Sequence, residues 1–78
     1  MSAIRSPLPG IFYRRSSPEA PPFKEDGAAV AVTDVVGLIE VMKSFHEVPA
    51  GIAGRSITFL IDNEEPVMAG QVIAEVLP

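Results

Sequence analysis

Residues 37–48 read Gly-Leu-Ile-Glu-Val-Met-Lys-Ser-Phe-His-Glu-Val, with Met42-Lys43 in the middle. The apolar runs Val35–Val41 and Phe45–Val48 flank this pair, and two runs with so short a connection predict a β-hairpin. A two-residue turn draws both central residues towards positive φ, where Asn-Gly or Asp-Gly is usual. Met-Lys is unfavourable in that position. We therefore interpret Lys43, at the tip of a strained turn, as a candidate for chemistry rather than for folding.

The rest of the chain also consists of short apolar runs between turn residues. The predicted strands are Ile11–Tyr13, Ala28–Val32, Ile57–Ile61 and Val72–Leu77, with a short piece at Val67-Met68. Strands of about five residues with turn signals roughly every 8–12 residues are typical of an all-β sandwich or barrel. No window shows the 3.6-residue periodicity of a helix.

A weak internal repeat divides the chain into two similar halves. Asn63 lies 37 positions after Asp26 in a similar context, and Gly54 lies 44 positions after Gly10. The two spacings differ because the first half carries an insertion between residues 12 and 26. The repeat predicts a pseudo-twofold sandwich, with the Met-Lys turn on or near the axis.

The insertion coincides with a loop rich in proline and serine. Residues 14–24 read Arg-Arg-Ser-Ser-Pro-Glu-Ala-Pro-Pro-Phe-Lys, which is too long for a simple hairpin connection. Long loops inside compact domains are often functional, and a disordered loop is the alternative.

Composition limits the class of protein. The chain has 78 residues, which is enough for one small domain, and 47% of them are apolar. Its net charge of −4 argues against nucleic-acid binding, which requires clustered Lys and Arg. No stretch reaches the roughly 20 apolar residues of a membrane span. With no signal sequence after Met1, we expect a cytoplasmic protein with no membrane partner.

The chain lacks the residue sets that catalysis requires. It has one histidine and no cysteine, and no Ser/His/Asp set lies in a motif context. We interpret His46 as a surface residue, and Asp62, Glu64 and Glu65 as a solvated turn rather than a metal site. Lys43 remains. An ordinary lysine is a poor nucleophile at neutral pH, but an exposed one offers an amine that is open to modification.

Several segments carry a family resemblance. Glu40-Val41-Met42-Lys43 resembles the Glu-Ala-Met-Lys-Met attachment motif of biotin carboxyl carrier domains. Residues 6–14, Ser-Pro-Leu-Pro-Gly-Ile-Phe-Tyr-Arg, resemble the Ser-Pro-Met-x-Gly-Thr-Phe-Tyr-Arg opening of the bacterial acetyl-CoA carboxylase carriers. Ser17–Ala20 and the following Phe23 are similar to the thumb loop of those carriers, and Gly54 and Pro66-Val67 match positions in their second half. The resemblance covers nearly the whole chain.

The resemblance implies one biotinyl domain over residues 1–78. Its fold would be a flattened β-sandwich of two four-stranded antiparallel sheets, the biotinyl/lipoyl hammerhead. A biotin protein ligase would attach biotin to Lys43, with Glu40 and Met42 as recognition residues. The thumb loop, about residues 15–22, would present the five residues Ser16, Ser17, Pro18, Glu19 and Ala20.

In function, the resemblance implies a non-catalytic carrier of an acetyl-CoA or other acyl-CoA carboxylase, in the pathway of fatty acid biosynthesis. A biotin carboxylase subunit would load CO2 onto the biotin as carboxybiotin, and a carboxyltransferase subunit would receive the carboxyl group. In this way the domain positions a cofactor that performs the chemistry.

Four positions depart from the family pattern. Val41 stands for the usual Ala, Ser44 for the Met after the lysine, and Glu64 and Thr33 for turn glycines. Two alternatives therefore stay open. One is a lipoyl carrier, although lipoyl turns usually read Asp-Lys-Ala and lack a thumb. The other is an unmodified carrier-like module that regulates or scaffolds a carboxylase.

Overall fold

The computed structural model describes residues 1–78, in which seven β-strands form two antiparallel sheets. In chain order the strands are β1 Ser2–Arg5, β2 Gly10–Tyr13, β3 Val35–Val41, β4 Ser44–Pro49, β5 Ser56–Phe59, β6 Glu65–Val67 and β7 Val72–Leu77. One sheet has the order β4-β3-β2-β6 and the other the order β1-β7-β5. The predicted all-β fold is confirmed, and the protein contains no helix that could cross a membrane.

The second sheet has three strands where four were predicted. Residues 28–30 lie beside β5 in the place of the fourth strand, but they make only an isolated bridge, between Val30 and Gly54. The predicted strand at Ala28–Val32 is therefore wrong. The cause is local: Asp34 accepts a hydrogen bond from Ala31 N through its carboxylate at 2.8 Å, which turns the backbone out of the ladder.

The pseudo-twofold repeat appears in matching hydrogen bonds of the two halves. In each half, a turn residue donates its backbone N–H to the carbonyl oxygen of a buried strand residue. The Asp or Asn just before that turn residue accepts, through its side chain, a bond from the backbone N–H two positions further along the same strand. The matched bonds are Gly27 N to Ile57 O and Glu64 N to Phe12 O at 2.7 Å, then Phe59 N to Asp26 Oδ1 and Arg14 N to Asn63 Oδ1 at 2.8 Å. Divergent sequence thus specifies the same backbone twice.

The Met42-Lys43 turn does not lie on the pseudo-twofold axis. In the pairing of β3 with β4, Ile39 faces His46, and the repeat maps this pair onto Val76 facing Ser2 in the pairing of β7 with β1. The symmetry therefore maps the turn onto the two chain termini. A turn on the axis would map onto itself, so the predicted position is wrong.

The apolar core lies between the two sheets and holds the inner side chains of β3 together with Val48 of β4. The largest fully buried side chains are Phe12, Val36, Ile39, Val48, Ile57, Ile73 and Val76. Inner and outer side chains alternate along a strand, so burial of Ile39 directs Glu40 to the outer face. β3 is thus fixed in the core, whereas β4 is an edge strand that is mostly exposed. The tip beyond them is free of the core.

Asp34 gives the fold a testable pH dependence. Its bond from Ala31 N and its 2.9 Å ion pair with Lys24 Nζ lower the pKa of the carboxyl below its ordinary value, the backbone bond contributing most. A folded-state pKa below the unfolded one stabilises the fold above about pH 4, and this contribution is lost as the pH falls further. Asp34→Asn should therefore unfold at a lower urea concentration than the wild type at pH 7. The difference between the two unfolding midpoints should disappear as the pH falls towards 2.

The matched control for this measurement is Glu25→Gln, since Glu25 is exposed and its carboxylate makes no hydrogen bond or ion pair. We expect Glu25→Gln to follow the wild type at every pH. A gap between Asp34→Asn and the wild type that stays constant down to pH 2 would show that the carboxyl charge does not contribute.

Candidate functional site

The Met42-Lys43 pair forms the predicted two-residue turn. Val41 pairs with Ser44 as the last step of the β3–β4 ladder, and Met42 and Lys43 have φ angles of 49° and 68°. Both are exposed, and the Lys43 amine makes no hydrogen bond or ion pair. A non-glycine residue in the left-handed region costs about 1–2 kcal/mol. The turn therefore retains a strained, partner-free lysine at its tip.

Glu40 is anchored two residues before the turn. Its Oε1 accepts a 2.8 Å hydrogen bond from the hydroxyl of Tyr13, and this bond, followed by burial, raises the pKa of Tyr13 above its ordinary value. Phe45 faces Glu40 across the hairpin, and its ring centroid lies 5.9 Å from that of Tyr13. Glu40, Tyr13 and Phe45 thus form a cluster on the outer face, one residue pair before the Val41–Ser44 step that closes the turn. Met42, by contrast, is 94% exposed.

The thumb loop, residues 15–22, is closed at its base and turned at its tip. Phe23 N donates to Arg14 O at 2.8 Å, and Arg15 and Pro22 form a bridge. At the tip, Ala20 N donates to Ser17 O at 3.1 Å around Pro18-Glu19. Proline at the first central position presets that turn. These bonds give the loop a defined shape, which does not fit the alternative of a disordered loop.

Arg14 fastens the base of the thumb to the other sheet. Its guanidinium lies 4.2 Å over the ring of Phe59, donates to Lys24 O at 3.2 Å and lies 3.9 Å from the Asp26 carboxylate. A stacked, half-buried guanidinium is held more firmly than a surface ion pair. This role could not be predicted from the sequence, because nothing in Arg14-Arg15 distinguishes the anchored arginine from its neighbour.

A cleft of about 130 Å³ separates the thumb loop from the hairpin and the turn before β6. It is lined by Tyr13, Arg15, Ser16, Ser17, Pro18, Phe45, Asn63 and Glu64. Three predicted thumb residues are therefore on its wall, whereas Glu19 and Ala20 are not. Lys43 is two residues from Phe45, and even a fully extended backbone would separate their Cα atoms by only about 7 Å. A group attached to the Lys43 amine can accordingly fold back into the cleft.

The cleft suits a group that both accepts and donates hydrogen bonds. The hydroxyl of Ser17 and the guanidinium of Arg15 are donors, and the Nε of Arg15 is buried without any partner. The Glu64 carboxylate and the Asn63 side chain supply acceptors beside the aromatic rings. Of these residues, Ser17 was predicted to belong to the thumb loop, whereas Glu64 was interpreted as part of a solvated turn and as a departure from a turn glycine.

Comparison with known proteins gives one family and a consistent set of relatives. The family model described as "Biotin-requiring enzyme", of the biotin/lipoyl type, matches residues 2–76. A protein of Chlamydia trachomatis named biotin carboxyl carrier protein of acetyl-CoA carboxylase is 43% identical over 74 residues, which is 95% of this chain and 45% of that protein.

More distant relatives bear the same name. The protein of Pseudomonas aeruginosa is 35% identical over 66 residues, 85% of this chain and 42% of its own length. A chloroplastic protein of Arabidopsis thaliana is 32% identical over 75 residues, 96% of this chain and 29% of its own. The chain thus spans less than half the length of these relatives.

Proposed function

Because the chain belongs to the biotin/lipoyl family of biotin-requiring enzymes, we propose that it is a biotin carboxyl carrier domain with biotin joined to the Lys43 amine. The observation that carries the proposal is the partner-free Lys43 on a left-handed two-residue turn, directly after Glu40-Val41-Met42. The domain carries its group and does not itself catalyse.

Each part of the site has a task in this proposal. The turn presents the Lys43 amine to a biotin protein ligase, for which Met42 and the anchored Glu40 are the recognition residues. β3 holds the turn in place through the buried Ile39. Biotin, when attached, supplies the ring nitrogen that carries a carboxyl group. The thumb loop shelters the ring in the cleft between visits to other subunits.

We propose a biotin carboxylase and a carboxyltransferase acting on an acyl-CoA as the partners, in keeping with the names of the relatives. A tethered carrier raises the effective concentration of its group at two separate active sites. The names of the relatives also favour biotin over a lipoyl group, as do Met42 and the thumb loop.

Intact mass after co-expression with a biotin or a lipoyl ligase tests the proposal. We expect an increase of about 226 Da with the biotin ligase, where amide formation with lipoate would add about 188 Da. A lipoyl adduct alone would favour the first alternative. A chain that stays unmodified with active ligase, ATP and biotin would favour the second alternative, an unmodified regulatory module.

The thumb loop should control selectivity rather than stability. Replacing Ser16–Pro22 by a short Gly-Ser turn should keep the fold, because the fully buried core side chains all lie outside these residues. We expect the biotin and lipoyl ligases to discriminate less sharply on the shortened chain, or the carboxyl group to be transferred at a changed rate, since the cleft loses one wall. Ligase and transfer kinetics measure this, and unchanged rates in both would remove the functional role of the loop.

A further inference from the structure

Glu64 occupies a backbone position that a glycine would suit better. Its φ is 66°, and its pseudo-symmetric mate Gly27 has a φ of 90° and donates an equivalent 2.7 Å bond. The turn thus requires the left-handed conformation but does not require a side chain. A strained side chain that the fold does not need is typical of a functional position.

The carboxylate of Glu64 is available for a ligand. It makes no hydrogen bond or ion pair within the protein, and Glu64 lines the cleft together with Arg15. Its negative charge also helps to raise the pKa of Tyr13, which places the charge near the aromatic wall. On the other side, the Nη1 of Arg15 donates to Ala20 O at 3.3 Å while its Nε has no partner.

We propose that Glu64 is a specificity-determining residue of the cleft, whose carboxylate accepts a hydrogen bond from one N–H of the cyclic urea of a biotin carried on Lys43. Arg15 donates to the urea oxygen. A urea ring presents N–H donors and one carbonyl acceptor, so it matches both groups, whereas the dithiolane ring of a lipoyl group offers no N–H. Hydrogen bonds to charged groups are stronger than neutral ones. This inference rests on the proposed function.

The test uses the biotinylated chain and hydrogen exchange of the urea N–H protons, followed by NMR. Glu64→Gly removes the carboxylate and relieves the left-handed strain, so it should fold at least as well as the wild type. We expect the urea N–H proton that donates to Glu64 in the wild type to exchange about tenfold faster in Glu64→Gly, the equivalent of one charge-assisted hydrogen bond. Glu64→Gln, which keeps an acceptor without the charge, should lie between the two.

Glu19→Gln is the matched control, because Glu19 is an exposed carboxylate of the thumb loop that does not line the cleft. It should exchange as the wild type does. Nuclear Overhauser contacts from the urea ring to Tyr13 and Phe45 should be present in the wild type and weakened in Glu64→Gly. Equal exchange and equal contacts in all chains, with the biotin adduct present by mass, would overturn the role of Glu64 alone. Absence of the adduct would overturn both proposals.

Discussion

Lys43→Arg is expected to abolish biotin labelling while leaving the free energy of unfolding within about 0.5 kcal/mol of the wild type. Arginine keeps the positive charge and the flexible stem, but its guanidinium stays protonated and cannot serve as the acceptor amine. Stability should hardly change, because Lys43 is exposed and has no partner to lose. Intact mass and streptavidin binding measure the first effect, and urea unfolding measures the second.

Lys24→Arg provides the matched control for that experiment. The amine of Lys24 is engaged, with Ala29 O at 3.0 Å and the Asp34 carboxylate at 2.9 Å, and it lies in an irregular segment rather than on a hairpin tip. We expect full labelling of Lys24→Arg. A biotin adduct that persists in Lys43→Arg and disappears in Lys24→Arg would move the attachment site and refute the assignment.

The hairpin could be predicted from sequence because its determinants are local. Val41 and Ser44 are three positions apart, and a two-residue connection leaves few turn geometries open. The positive φ angles at Met42 and Lys43 could therefore be predicted from the length of the connection alone. The same reasoning made Lys43 conspicuous, since its residue type is wrong for the turn and right for modification.

The cleft could not be predicted, because its walls come from distant parts of the chain. β2 pairs with β3 on one side and with β6 on the other, which brings Tyr13 close to both Phe45 and Glu64. Neither pairing can be recognised from the local pattern of apolar and polar residues in the sequence. The error at Ala28–Val32 has a different origin, as its apolar residues fit a strand while the local bond from Ala31 N to Asp34 prevents one.

Gly10→Ala is expected to destabilise the fold by about 3 kcal/mol, as overpacking in a closed strand interface does. An added Cβ would overlap the carbonyl oxygen of Glu40 and lie 2.8 Å from Ile39 Cγ2, so β2 would have to move away from β3. The free energy of unfolding of a domain of this size is roughly 4–12 kcal/mol, so the thermal midpoint should fall by about 10–20 °C.

Gly51→Ala is the control, because a Cβ added at Gly51 would have no atom within 4 Å. It should cost only about 1 kcal/mol of stability, which comes from the φ of 71° at this position. Equal losses in the two variants would contradict the packing argument.

The pseudo-symmetry separates the structural effect of Gly10 from its effect on the site. Gly54 is the equivalent residue, and its added Cβ would overlap the carbonyl oxygen of Leu77 in the other sheet. We expect Gly54→Ala to lose a similar amount of stability. Only Gly10→Ala, however, moves β2 and with it Tyr13, whose hydroxyl donates to Glu40 next to the turn. Compared at a temperature where both variants remain folded, Gly10→Ala should be labelled by the ligase more slowly than Gly54→Ala. Equal labelling rates would mean that the position of Glu40 does not matter to recognition of Lys43.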